Sequence, residues 1–196
     1  MRTHNRSSPR GALLIMAAAA LALPCAAQTS FGIGHTPTPE QIQGWNIDVE
    51  PDGRNFPKGQ GTVARGKQVY ETQCASCHGT KGEGGIGDRL VGGMGTLNAD
   101  KPIKTVGSYW PYATTLFDYV RRAMPLNAPQ SLSNDDAYAV SGYVLYMNGL
   151  LPESATVDGR TLTQLRMPNR EGFTGDPRPD VHNRDCMQNC SAGMGK

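Results

Sequence analysis

Apolar residues return every three to four positions in three stretches of the chain, which is the spacing of one face of an α-helix. Val69 and Tyr70 are the apolar contacts of the first stretch. Leu116 lies on the apolar face of the second, where Asp118 can pair with Arg122 one turn later. The three helices are predicted over Val63 to Cys74, about Tyr112 to Arg122, and Ser133 to Met147.

Local signals mark where these helices begin and end. Pro125 disfavours helical geometry in the preceding residue, so the second helix should stop at Met124. The Ser133 hydroxyl can cap the third helix, and Asp136 completes a Ser-x-x-acid capping box. Asn148-Gly149 supplies its stop. No stretch alternates long enough to predict a strand.

The predicted fold class is therefore all-α, with a small core of three or four helices at residues 62–150. Residues 28–61 are dense in Pro, Gly and polar residues and are predicted to form an irregular N-terminal arm. Residues 151–196 are again rich in Pro and Gly and are predicted to form a C-terminal extension. The compact domain is expected in the middle segment, with the two extensions flanking it.

Residues 1–27 have the order of a secretory signal peptide, because three arginines precede an apolar run and small residues follow it. The run, Ala12 to Leu23, is 12 residues long. A transmembrane helix needs roughly 20. We therefore expect export to the periplasm, with no membrane span in the mature form. The alternative is that the segment remains as an N-terminal anchor.

Loss of the signal changes the charge balance. The full chain has 19 Lys and Arg against 17 Asp and Glu, and three of the arginines lie in residues 1–27. The mature chain would carry 16 cations against 17 anions, so the sequence offers no electrostatic basis for binding nucleic acid.

The chemistry of the chain is concentrated in the sequence Cys74-Ala75-Ser76-Cys77-His78. Cys-x-x-Cys-His is the attachment site of a c-type haem, in which two thiols bond the porphyrin vinyl groups and the next residue turns its imidazole to the iron. A zinc site would need two more ligands at suitable spacing, and a redox disulfide would sit in a strand–helix context that is missing here. The sequence predicts one covalent haem c, which would also supply an apolar centre for a small core.

Eight glycines follow the motif between Gly79 and Gly95. Such a segment is suited to tight turns or to close backbone approach to a flat ligand. It lacks the Gly-Lys-Ser/Thr ending of a phosphate loop, which argues against nucleotide binding.

The sixth ligand of the iron largely decides function, because a closed His/Met site favours electron transfer and an open site favours ligand binding or catalysis. Met124 is the best placed candidate, at the predicted end of the second helix and 46 residues after His78. Met167 is the next choice. Met147 is more simply a core residue, and Met94 follows the motif too closely to cross the haem edge.

These features resemble class I cytochromes c. Gly66, Tyr70 and Tyr143 match positions at which that family crosses its first and last helices, and plain core packing explains them equally well. The family often has Pro-x-Leu-x-Gly after the haem motif, with the proline carbonyl holding the free N–H of the ligating histidine. Here the stretch reads Asp88-Arg89-Leu90-Val91-Gly92, so the sequence leaves the acceptor for His78 open.

A more specific resemblance covers most of the mature chain. It is similar to the cytochrome subunit of the periplasmic Sox sulfur (sulfane) dehydrogenase, or of a simpler sulfite dehydrogenase, on four segments: Lys104 to Tyr112, Asp118 to Pro125, Val49 to Gly53 and Met167 to Phe173. The resemblance implies a molybdenum-cofactor dehydrogenase subunit as electron donor and a soluble cytochrome c as acceptor. It also places Tyr109 and Trp110 beside the haem, where an indole N–H can donate to a propionate; an ordinary core aromatic pair is the alternative.

A second cysteine pair, Cys186 and Cys190, has three residues between its members and no histidine after it, so it is not another haem site. In an exported protein it predicts a disulfide closing a small loop. A metal or redox-active thiol pair is the alternative, with His182 close enough in sequence for copper binding.

Two other functions stay open at this point. A haem enzyme or gas sensor would have an open sixth site, and a general electron shuttle would have no dedicated partner. No nucleophile–base pair or paired carboxylates in the sequence suggest a catalytic site of the chain's own.

Overall fold

The computed structural model describes residues 33–176, which divide into one unit up to Ile42 and a second unit from Gln43 onward. The described elements are, in chain order, α1 (Pro39–Gln43), β1 (Gly61–Thr62), α2 (Val63–Gln73), α3 (Ala75–His78), α4 (Ala113–Ala123), α5 (Asn134–Met147), β2 (Thr156–Val157) and α6 (Gly159–Gln164). The predicted signal segment and the pair Cys186 and Cys190 lie outside the described residues. The regular secondary structure of the described chain is mostly helical, as predicted.

The first unit is represented by residues 33–42 and the start of α1. Thr38 caps this short helix, because its Oγ1 accepts the backbone N–H of Gln41 at 3.3 Å. The Gln41 side chain in turn accepts the backbone N–H of Thr38 at 2.9 Å, which completes a capping box.

The three predicted helices are confirmed as α2, α4 and α5, and their ends follow the predicted signals. Met124 is the C-cap of α4. Ser133 is the N-cap of α5 and accepts the backbone N–H of Asp136 at 3.1 Å. Asn148 is the C-cap of α5, and Gly149 follows with a φ of 72°, the left-handed conformation that ends many helices.

Helices α2 and α5 cross closely because a glycine lies at their contact. A Cβ atom placed on Gly66 would collide with the Ala139 carbonyl group and would lie 2.8 Å from the Tyr143 Cβ. The rings of Tyr70 and Tyr143 pack beside this contact with centroids 5.4 Å apart. The crossing holds the helix that leads into the haem motif against the longest helix of the core.

Two strands that the sequence did not predict join the regions that precede and follow the core helices. Gly61 pairs with Val157 and Thr62 with Thr156 in an antiparallel ladder. Each strand has two residues, which is too short to produce an alternating pattern. The ladder brings the segment after α5 back to the start of α2.

The hydrophobic core extends beyond the 62–150 range expected for the compact domain. Val49 from the predicted arm is 5% exposed, and Val157, Leu162 and Met167 from the predicted extension are each 1% exposed or less. These residues pack in one cluster with the core helices. Their sequence surroundings are irregular and rich in Pro and Gly, so their burial depends on long-range packing that no local pattern reveals. No helix within residues 33–176 is long and apolar enough to cross a membrane.

Candidate haem site

Helix α3 carries the haem-attachment motif as a short turn that follows α2 directly. Cys74 caps α2, and its carbonyl oxygen accepts the backbone N–H groups of Cys77 at 3.1 Å and His78 at 3.0 Å. These bonds fold the motif into a single turn. Both thiols are free of disulfides, with Cys74 half-buried and Cys77 exposed. Burial and, after it, the neighbouring Cys77 thiol raise the pKa of Cys74 to about 11.

The imidazole of His78 is oriented by a backbone carbonyl. Its Nδ1 atom lies 2.7 Å from the carbonyl oxygen of Asp88. A carbonyl oxygen only accepts hydrogen bonds, so Nδ1 carries the proton and the lone pair of Nε2 is available to a metal. Such a bond fixes the ring and raises its basicity. The residue at the position of the family's proline therefore provides the acceptor that the sequence left open, and it does so through its backbone.

Glycines allow the loop after α3 to wrap around the imidazole. A Cβ atom on Gly87 would lie 2.8 Å from Cε1 and 2.9 Å from Nδ1 of His78, closer than real Cβ contacts. The Gly87 N–H donates to the Cys77 carbonyl at 2.9 Å, and the Gly84 N–H donates to the His78 carbonyl at 2.8 Å. The glycine-rich segment thus makes the predicted close backbone approach, and the group that it approaches is the imidazole of His78.

Two side chains tie this loop to the helix crossing. The Tyr70 hydroxyl donates to the Gly79 carbonyl at 2.8 Å, and burial raises the pKa of Tyr70 to about 12, so the hydroxyl keeps its proton. The Asn148 amide donates to the Leu90 carbonyl at 3.0 Å. Asn148 was predicted only as a helix stop, because its contact with a loop 58 residues earlier leaves no sequence signal.

The candidate sulfur ligands fall into different environments. Met124 is half-buried at the end of α4, and its N–H donates to the Val120 carbonyl at 3.1 Å. Met167, the second candidate, is 1% exposed and belongs to the hydrophobic core. Met147 is partly buried against the same core, and Met94 is 50% exposed on the loop. Met147 and Met167 thus both contact the hydrophobic core.

Tyr109 packs with the segment that follows α6. Its ring meets Phe173 edge-on with centroids 5.2 Å apart, and the Lys104 ammonium lies 4.9 Å from the ring centre. The Asn169 amide donates to the Tyr109 carbonyl at 2.7 Å. The two segments of the Sox resemblance that contain these residues are therefore in contact.

Trp110 is partly buried against the hydrophobic core, and its ring lies perpendicular to Tyr119 at 5.9 Å between centroids. In the part of the chain from 33 to 176, its indole N–H has no hydrogen-bond partner. Tyr109 and Trp110 thus pack against different rings, Phe173 for Tyr109 and Tyr119 for Trp110.

Arg121 and Arg122, in the last turn of α4, contact Ile47 and Asp48. Arg121 donates to the Ile47 carbonyl at 3.3 Å. Arg122 bonds both carboxylate oxygens of Asp118, which confirms the predicted i, i+4 pair, and its Nη1 lies 3.4 Å from Asp48. The hydrogen bond that Arg122 donates to the Asp118 carboxylate raises the pKa of Arg122.

The residues brought together at α3 fit a covalent haem. Two free thiols stand one turn apart, the Nδ1 atom of the imidazole faces a carbonyl oxygen, and Gly87 lies too close to the ring to carry a side chain. The residues that would hold the group are Cys74 and Cys77 through the thiols and His78 through Nε2.

Comparisons with known proteins indicate a cytochrome. A family described as "Cytochrome C oxidase, cbb3-type, subunit III" matches residues 61–144. Thiosulfate dehydrogenase from Stutzerimonas stutzeri is 31% identical over 110 residues, which are 55% of this chain and 33% of that protein. Thiosulfate dehydrogenase from Allochromatium vinosum is 28% identical over 109 residues, 50% of this chain and 33% of that protein. The matches thus span about a third of these two relatives.

A solved structure matches over most of both chains. In the crystal structure of the sulfane dehydrogenase SoxCD from Paracoccus pantotrophus, one chain is 41% identical, with a TM-score of 0.71 and 85% of each chain covered. This likeness extends well beyond the segment that the family profile matches. The chain therefore belongs to the c-type cytochromes related to the cytochrome subunit of the Sox sulfane dehydrogenase.

Proposed function

We propose that the chain is a monohaem c-type cytochrome that accepts single electrons from a molybdenum-cofactor sulfur or sulfite dehydrogenase subunit. It would pass them to a soluble cytochrome c. The observation that carries the proposal is the His78 imidazole held by the Asp88 carbonyl at 2.7 Å, one turn from two free thiols, in a chain 41% identical to one chain of a sulfane dehydrogenase.

When bound, haem c supplies a one-electron couple whose potential depends on its axial ligands. His78 provides the first ligand, and we propose Met124 as the second. Because the sequence has one Cys-x-x-Cys-His, the chain takes electrons singly, whereas oxidation of a sulfur substrate releases them in pairs. The partner would therefore discharge in two successive transfers.

Tyr109 and Trp110 are proposed to line the haem pocket. The unpartnered indole N–H of Trp110 within the described residues supports a bond to a propionate. Tyr109 is held between Lys104 and Phe173, which suits a fixed wall of the pocket.

Residues 1–27 would be removed on export to the periplasm, where Cys186 and Cys190 would form a disulfide. Residues 62–150 would hold the haem, and Val49 from the 28–61 arm and Val157, Leu162 and Met167 from the 151–196 extension complete the core of this domain. Parts of both flanks would contact the dehydrogenase, and Trp45, 88% exposed, is a candidate anchor.

The test is haem reduction by a partner. The oxidised holoprotein is mixed anaerobically with a molybdenum-cofactor sulfur dehydrogenase subunit from the same cell and with sulfite or thiosulfate, and haem reduction is followed optically. An unrelated class I cytochrome c of similar potential is the control. We expect much faster reduction of this chain than of the control. Equal rates would indicate a general shuttle, and absence of reduction would contradict the assigned donor.

A further inference from the structure

The last turn of α4, which ends at Met124, is fastened to two other parts of the chain. Arg121 donates through Nη1 to the Ile47 carbonyl at 3.3 Å and through Nε to the Asn134 side chain at 3.3 Å. Asn134 is the first residue of α5. The turn before Met124 therefore has a partner on each side, the N-terminal segment and the start of α5.

Asp118 is the central acceptor of this arrangement. The residue is 7% exposed, and its Oδ1 accepts the backbone N–H of Val49 at 2.9 Å. The Nε atom of Arg122 lies 2.9 and 3.0 Å from the two carboxylate oxygens, and its Nη2 also contacts Oδ2. Arg122 also reaches Asp48 at 3.4 Å. A carboxylate this deeply buried depends on its partners, since an unpaired buried charge is strongly unfavourable.

This arrangement bears on Met124 because helix ends are the parts of a helix that open most readily. Met124 follows the turn that Asp118 and Arg122 hold together, and the chain leaves the helix at Pro125. A ligand that occupies its binding position only part of the time binds more weakly in proportion. Hydrogen bonds that keep the last turn of α4 helical therefore increase the fraction of time that Met124 spends in its ligand position.

We propose that Asp118, through its bonds to Arg122 and Val49, is a positioning residue that holds Met124 in place as the sixth ligand. The inference rests on the proposed function, in which Met124 is a ligand. It adds that residues 47–49, which were predicted to belong to a flanking arm, help to set the stability of the ligand bond.

The test compares how often the methionine leaves the iron in three holoproteins. The variant is Asp118→Asn, which keeps the side-chain shape but removes the charge. The control is Asp136→Asn, which breaks the Arg65–Asp136 pair of α2 and α5, where the side chains are 54% and 24% exposed. The readouts are the far-red methionine-to-iron charge-transfer band of the oxidised form and the rate of CO binding to the reduced form.

We expect CO to bind Asp118→Asn at least about tenfold faster than the wild type, with a weakened far-red band, and the control to stay within about twofold. If Asp118→Asn behaves like the control, the positioning role is wrong although the ligand assignment stands. If the oxidised wild type shows no far-red band, or if its band persists in Met124→Ala, Met124 is not the ligand. The positioning role then fails as well.

A second variant covers the case in which Asp118→Asn does not fold. Arg122→Lys keeps the cation but loses the planar group that bonds both oxygens of Asp118. We expect it to speed CO binding at least about threefold, as a smaller opening of the same turn would. A rate equal to that of the Asp136→Asn control would overturn the proposal.

Discussion

The Nδ1 atom of His78 lies 2.7 Å from the carbonyl oxygen of Asp88, ten residues further along the chain. The family usually offers a proline carbonyl at this place, and here an aspartate offers the same atom. The side chain of Asp88 is exposed and takes no part in the bond. The backbone path of the loop thus sets the histidine's orientation, and the path depends on glycines that let it pass close to the ring.

Replacement of Gly87 should disturb the histidine. In Gly87→Ala the new methyl group meets the imidazole at less than 3 Å, so the ring must move and its bond to the Asp88 carbonyl weakens. A weaker bond makes the imidazole less basic, which should raise the reduction potential, and the crowding should cost about 1–3 kcal/mol of unfolding free energy. Redox titration and urea unfolding measure both effects.

The control for this prediction is Asp88→Ala, which retains the carbonyl group. It should leave the potential unchanged. A shift in Asp88→Ala as large as that in Gly87→Ala would mean that the aspartate charge, rather than the geometry of the loop, sets the potential.

The crossing of α2 and α5 should not tolerate a side chain at Gly66. A methyl group there would overlap the Ala139 carbonyl, which is backbone and has little room to move. We expect Gly66→Ala to lower the free energy of unfolding by about 1–3 kcal/mol or more, whereas Lys67→Ala, exposed on the same helix, should change it by less than about 0.5 kcal/mol. Chemical denaturation of the holoproteins tests this, and equal stabilities would contradict the close crossing.

Asn148 should stabilise the loop that carries the His78 acceptor. Its amide donates to the carbonyls of Leu90 and Val144. In Asn148→Ala each of these two partly buried carbonyls loses one hydrogen bond. The expected loss is about 1–3 kcal/mol in urea unfolding. Asn98→Ala, in an exposed part of the same loop region, is the matched control and should have little effect.

The ion pair between Arg65 and Asp136 predicts a small dependence of stability on pH. The hydrogen bond from Arg65 lowers the pKa of Asp136 in the folded state. A carboxyl with a depressed folded pKa contributes stability above its unfolded pKa of about 3.9, and the contribution is lost as pH falls through the folded value.

Because the pair is half-exposed, Asp136→Asn should cost under about 1 kcal/mol at pH 7. Thermal unfolding of the wild type and the variant at pH 7 and about pH 2 checks the sign, since the difference should vanish at the lower pH. A difference that grows on acidification would contradict the depressed pKa.

The sequence predicted the features that are local. Helices α2, α4 and α5 were found because their caps and apolar spacing lie within a few residues of one another, as with Ser133 and Asp136. The haem motif is local in the same sense. The prediction failed where contacts are distant: Val49 meets Asp118 across 69 positions, and its burial left no trace in the irregular segment around it.

The acceptor for His78 illustrates a different limit. A backbone carbonyl is present at every residue, so the identity of Asp88 gave no sign that its oxygen would face the imidazole. Gly87 carried a weak signal as one of many glycines, but only its distance from the ring shows why a side chain would not fit there.

Electron transfer by this chain requires a closed iron site with His78 and Met124 as ligands. The measurement is the optical spectrum of the holoprotein, oxidised and reduced, with and without CO, beside that of Met124→Ala. We expect a weak far-red band in the oxidised wild type, its loss in the variant, and CO binding that is slow in the reduced wild type and fast in the reduced variant. A wild type without the band that binds CO readily would contradict the electron-transfer function and indicate an open site.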